Sequence, residues 1–223
     1  MWRALVWDYK LTRWIAAVFL SILVHEMGHA LAMRYYGVDS YIVLYQFGGL
    51  AVPDRHSSSM GFGSRSRGED PISQIVISAA GLAAQLSLAL AIVLVLRLTG
   101  FAMRSEIPYL EHVISVREGR PIDSMLVEFV LFIMLLISLF WALLNLLPVY
   151  PLDGGQIVRN IFGLFHPVAG IQYSLILSVI TAAGVALYGF SRQAPFLGIM
   201  FALLAYSSFQ VLQAYSSRGG FGR

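Results

Sequence analysis

Residues 14–36 read WIAAVFLSILVHEMGHALAMRYY. The first eleven residues of this stretch are almost wholly apolar, yet His25, Glu26 and His29 follow within five positions. An ionisable group in a spanning segment costs on the order of a few kcal/mol when charged, so three together need a compensating partner. On a helix, His25 and His29 are four apart and share one face, close enough to bind one metal ion, and a divalent cation offsets all three groups. Glu26 then projects beside the metal, placed to take a proton from water. An accidental H-E-x-x-H has an expectation of roughly 0.003 in a chain of this composition, so chance is a weak competitor. The apolar run leads directly into HEMGH with no small-residue cleavage site, so residues 11–36 read as a retained transmembrane helix and not as a signal peptide.

The rest of the chain agrees. No Asp, Glu, Lys or Arg occurs in Ile72–Leu96, in Phe129–Leu152, between Arg159 and Arg192, or between Arg192 and Arg218. Each run meets the roughly 20 apolar residues that cross a bilayer as a helix. The 223 residues are 58% hydrophobic and 12% charged, against about a quarter charged in soluble domains. The expected fold is an all-α polytopic membrane protein with about five transmembrane helices, near 11–36, 72–98, 124–147, 168–190 and 195–214. Residues 1–215 read as one transmembrane domain and 216–223 as a flexible Gly/Arg-rich tail. The absence of cysteine excludes disulfides, thiolate metal sites and cysteine nucleophiles. The net charge of +3 comes from scattered arginines, which fit anionic lipid headgroups and give no nucleic-acid patch. Basic residues divide almost evenly between the two sides, so they set no orientation.

Two further stretches carry information. Residues 41–52, YIVLYQFGGLAV, are rich in β-branched and aromatic residues and hold a Gly-Gly pair, so they read as a strand or short hairpin. Open sheet edges are not tolerated in lipid, so this β segment belongs in a cavity, at the interface, or against an extended peptide. Residues 53–70 read as a mobile Ser/Gly/Arg loop, long enough for a lid. The second stretch is NLLPVYPLDGG, Asn145–Gly155, which follows a long uncharged run. Pro148 and Pro151 break the helix there, and Gly154 and Gly155 add backbone freedom. A broken helix at membrane depth is tolerated only when it lines a cavity or is buried in protein.

A catalytic zinc site usually has three protein ligands, so two histidines leave one to find. His56 and His112 lie in polar connections, His166 precedes a proline at a helix start, and Glu128 can reach the interface. Asp153 is the distinctive candidate, although it could instead cap a helix beginning near Gln156.

HEMGH in an early transmembrane helix, with NLLPVYPLDGG over a hundred residues later, resembles the site-2 protease family of intramembrane zinc metalloproteases. That family pairs H-E-x-x-H with N-x-x-P-x-x-x-L-D-G. The resemblance implies one zinc ion held by His25, His29 and Asp153, with Glu26 as general base and Asn145 as a hydrogen-bonding group near the scissile bond. Phe47, Gly48 and Gly49 resemble the family's membrane-associated β segment, which implies pairing with unwound substrate. The likeness covers residues 11–165, without an inserted PDZ or appended CBS domain. One departure lies in SAAGLAAQL, where Leu82 follows Gly81 and Gln85 stands where the family often has asparagine.

The implied reaction is hydrolysis of peptide bonds within or near transmembrane segments of membrane-protein substrates, in regulated intramembrane proteolysis. A small single-domain layout fits a prokaryotic cell membrane; a regulatory membrane protein or a homo-oligomer is left open by the sequence. A metal-ion transporter would not need Glu26 beside the first histidine, and a non-catalytic binder of membrane proteins would typically have lost one of the four residues.

Overall fold

The computed structural model describes residues 2–45, 48–53, 70–103 and 119–219. Phe47, His56 and His112, and the loop expected at 53–70 apart from its two ends, lie outside the described residues. In chain order the elements are α1 (Trp2–Tyr35), β1 (Ser40–Tyr45), β2 (Gly48–Pro53), α2 (Pro71–Thr99), β3 (Phe101–Ala102) and β4 (Arg120–Pro121), then α3 (Met125–Asn145), α4 (Asp153–Phe165), α5 (Ala169–Ser191) and α6 (Pro195–Gly219). Among the described residues, five helices are long and apolar enough to cross a membrane: Leu11–Tyr35 within α1, then α2, α3, α5 and Pro195–Ser217 within α6. The expected spans are therefore present, with ends shifted by a few residues.

The boundaries follow from local chemistry. Asp70 accepts from the Ser73 N–H (3.1 Å) and Ser73 hydroxyl (2.5 Å), and Pro71 opens α2 where a missing N–H costs nothing. Gly100 ends α2 in the left-handed region at φ 69°. Ser124 caps α3 by accepting from the Val127 N–H, and α3 stops at Asn145, short of Pro148 and Pro151. Helix α6 continues through residues 216–219, which the sequence reading assigns to a tail. A two-residue parallel pairing of β3 with β4 is also present and carries no sequence signal.

Of the strand or short hairpin expected at 41–52, the structure has the hairpin: β1 and β2 are antiparallel, with Ser40 paired with Pro53 and Tyr45 with Gly48. It packs against α1. Helices α1, α2 and α3 pack mutually, with Ala17, Ala89, Ile92, Leu96 and Ile133 among the residues of their apolar core. Helices α5 and α6 form a second unit, joined to the first through α4 and through a cluster of Leu144, Val149, Ala182, Ala186 and Phe201.

Candidate metal centre

Helix α1 presents His25 and His29 one turn apart, as their spacing requires, and α2 fixes His29. The His29 Nδ1 lies 2.7 Å from the Ile77 carbonyl oxygen. A carbonyl only accepts, so Nδ1 carries the proton and Nε2, 3.1 Å from the His25 Nε2, is the nitrogen left to ligate. This is the arrangement by which outer partners orient metal-ligating histidines. Two glycines permit it. A Cβ on Gly81 would collide with the His29 ring, and one on Gly28 would collide with Ala80 and Ala84 of α2.

Asp153 arrives from the far side, on the first turn of α4. It does not cap that helix: Leu152 occupies the cap position and no side chain caps it. The carboxylate instead faces the histidines, because the first turn of α4 folds back on the chain that precedes it. A Cβ on Gly154 would strike the Leu146 and Leu147 carbonyls, and one on Gly155 would strike the backbone of Val149 and Tyr150. Both glycines lie in the helix with no positive φ, so they serve close approach and not the backbone freedom their sequence context implies.

Three side chains from distant positions thus converge. His25 Nε2 is 3.1 Å from His29 Nε2 and 3.0 Å from Asp153 Oδ2, and His29 Nε2 is 3.4 Å from Asp153 Oδ1. Tetrahedral ligands at about 2.0–2.1 Å from zinc stand about 3.3 Å apart, so this triangle has the dimensions of one face of a zinc site. His25, His29 and Asp153 are 3%, 8% and 7% exposed, and the Asp153 Oδ2, though 3.0 Å from His25 Nε2, makes no aligned hydrogen bond among the described residues. Desolvating a carboxylate and two imidazoles against one another, with an oxygen left over, is costly without a cation. The donor set fits a divalent metal. Among the described residues it is the one cluster of this kind; His166 is an exposed cap of α4 and Glu128 lies in the first turn of α3.

Glu26 is buried beside the cluster, next in sequence to His25. Asn145 is buried at the end of α3 and spends one side-chain N–H on the Trp141 carbonyl (3.0 Å), which leaves a second. Gly48 and Gly49 lie at the start of β2, paired with Tyr45 and Leu44. Gln85 is fully buried, and neither its oxygen nor its nitrogen has a hydrogen-bond partner among the described residues. The Ile77 carbonyl and Gly81 escape a motif-based reading. Their one signal is the small-residue run SAAGLAA, which marks close helix approach in membranes.

Fold and site together define a multi-pass helical membrane protein with a two-histidine, one-aspartate centre carried across two helices. The family model of peptidase family M50 matches residues 13–187, which takes in both motifs, and the chain belongs to that family. A protein of Synechocystis sp. with the provisional name zinc metalloprotease is 29% identical over 145 residues, covering 65% of this chain. This chain spans about 30% of that relative's length. The site-2 protease from Methanocaldococcus jannaschii superposes with a TM-score of 0.53 at 20% identity, covering 88% of this chain and 76% of that one, so the fold is that of a site-2 protease.

Proposed function

We propose that this chain is an intramembrane zinc metalloprotease that hydrolyses peptide bonds within or near transmembrane segments of membrane proteins. The observation that carries the reading is the buried triangle of His25, His29 and Asp153, in which the two histidines and Glu26 lie inside the otherwise apolar Leu11–Tyr35 span. His25, His29 and Asp153 hold the metal. When bound, zinc lowers the pKa of water towards about 7 and polarises a carbonyl. Glu26 takes the proton of the attacking water and returns it to the departing amine. The free side-chain N–H of Asn145 donates to the oxygen that gains charge at the scissile carbon.

A helical substrate hides its carbonyls in its own hydrogen bonds and must first unwind. The β1–β2 hairpin offers it an edge, with Gly48 and Gly49 at the Tyr45–Gly48 end of the ladder. Residues 1–215 act as one catalytic domain, in keeping with a prokaryotic cell membrane.

The test is zinc content and cleavage of a membrane-protein substrate by the detergent-purified chain. Wild type should hold about one zinc, and Asp153→Ala and His25→Ala/His29→Ala should lose it. Glu26→Gln should keep the zinc while cleavage falls by about 10²–10⁴-fold. Full activity in Glu26→Gln removes the general base from the mechanism, and zinc-free wild type after reconstitution favours a non-catalytic binder.

A further inference from the structure

Serines in apolar helices ordinarily satisfy their hydroxyls on their own helix's carbonyls. Ser174 does so with Ile171 (2.7 Å) and Ser191 with Tyr188 (2.8 Å). Ser178 of α5 and Ser208 of α6, both almost fully buried, do not. The Tyr150 N–H reaches the Ser178 Oγ at 2.6 Å, the two serine oxygens are 2.9 Å apart, and the Ser208 hydroxyl donates to the Tyr150 carbonyl at 2.8 Å. The directions are forced. A carbonyl only accepts, so the single Ser208 proton goes to Tyr150, and the bond between the serines must carry the Ser178 proton. The three bonds close a ring in which each donor and acceptor is used once.

What the ring holds is the turn between Asn145 and Asp153. Pro148 and Pro151 have no N–H, while the Val149 and Leu152 N–H groups bond within the turn, to Leu147 and Val149 at 2.7 Å each. Tyr150 is thus the residue whose backbone N–H and carbonyl both point out to another element. Its ring lies 5.6 Å under the Arg159 guanidinium of α4, and Gly155 presses on its backbone from the same helix. Asp153 is three residues further on. From Ser208 to the Asp153 carboxylate the path runs through hydrogen bonds, a short turn and backbone contact.

We infer that Ser178 and Ser208 are positioning residues for the metal centre: by clamping the Tyr150 backbone they fix where Asp153 meets His25 and His29. The inference rests on the metal reading above and goes beyond it, because it makes the α5–α6 hairpin a determinant of metal affinity.

The test uses the detergent-purified full chain, with zinc affinity measured by chelator competition and ligand geometry by the visible absorption of the cobalt(II) form. Ser178→Ala/Ser208→Ala should weaken zinc binding by about 10-fold or more, the scale of outer-partner losses, and shift the cobalt spectrum. Ser174→Ala, a buried serine of the same helix with a local bond, should change neither. If the double variant does not fold, Ser208→Ala alone, which spares the Tyr150 N–H bond, should give the same spectral shift at smaller amplitude. A double variant, or failing that a Ser208→Ala variant, with wild-type affinity and spectrum overturns the inference, even if its melting temperature falls. Wild type that binds neither ion overturns the metal reading instead, and the clamp's role with it.

Discussion

Two parts of this molecule solve the same packing problem differently. Where α1 meets α2, the contact is backbone against backbone: Gly28 lies on Ala80 and Ala84, and Gly81 makes room for a histidine ring. Where the α5–α6 hairpin meets the rest of the chain, the contacts include a small apolar cluster and a ring of hydroxyl hydrogen bonds. Lipid tails are as apolar as leucine, so hydrophobicity alone brings no two spanning helices together; small residues and buried polar bonds do that work. The first device is rigid and holds two candidate ligands on one helix. The second grips an irregular turn, which has no helical ladder of its own to keep it in place.

Substitutions can separate the two devices. The largest effect is expected at Gly81. Gly81→Val drives two extra carbons and the Cβ into the His29 ring, and zinc affinity should fall at least about 100-fold while the helical content in circular dichroism is kept. Near-normal affinity would mean that α2 does not fix His29. Next comes Gly189, whose Cβ would lie 2.7 Å from the Gly198 nitrogen at the end of the α5–α6 hairpin remote from the serine ring. Gly189→Leu should cost about 1–3 kcal/mol by overpacking, read as a lower melting temperature, with zinc affinity within a few-fold of wild type. A large loss of affinity there would show that the whole hairpin, and not the serine ring alone, sets the site.

The smallest effect belongs to a residue outside both contacts. The Ser73 hydroxyl and N–H hold the Asp70 carboxyl below its usual range. A lowered folded-state pKa contributes stability that is present above the unfolded value, about 3.9, and is lost as pH falls through the folded one. Asp70→Asn should therefore lower the melting temperature slightly at neutral pH and leave it unchanged in acid.

How much could be read beforehand follows from how local each signal is. The spans are visible because a charge-free run of 20 residues has few alternatives, and HEMGH because its chemistry fits within two helical turns. The hairpin announces itself through β-branched and aromatic residues. Asp153 is legible as a candidate but not in its posture: whether it caps α4 or faces His25 depends on how α4 docks, 128 residues along the chain from that histidine. Gly154 and Gly155 suggest freedom and in fact provide clearance, a distinction fixed by what lies opposite. Ser178 and Ser208 look like any serines in apolar helices, since their partner is a backbone 28 and 58 residues away.

The β1–β2 ladder has one further property, its length. Six Cα pairs run from Ser40–Pro53 to Tyr45–Gly48. At about 3.3 Å per residue such a strand measures about 20 Å, whereas six residues of helix measure about 9 Å. A membrane segment laid out along the whole ladder would thus lengthen by about 11 Å, roughly a third of the thickness of the hydrocarbon core. That slack has to go somewhere: one end of the segment must slide towards water or the remaining helix must tilt. In the proposed reaction, substrates with a short, weakly anchored span would accommodate this more easily than long ones pinned at both interfaces.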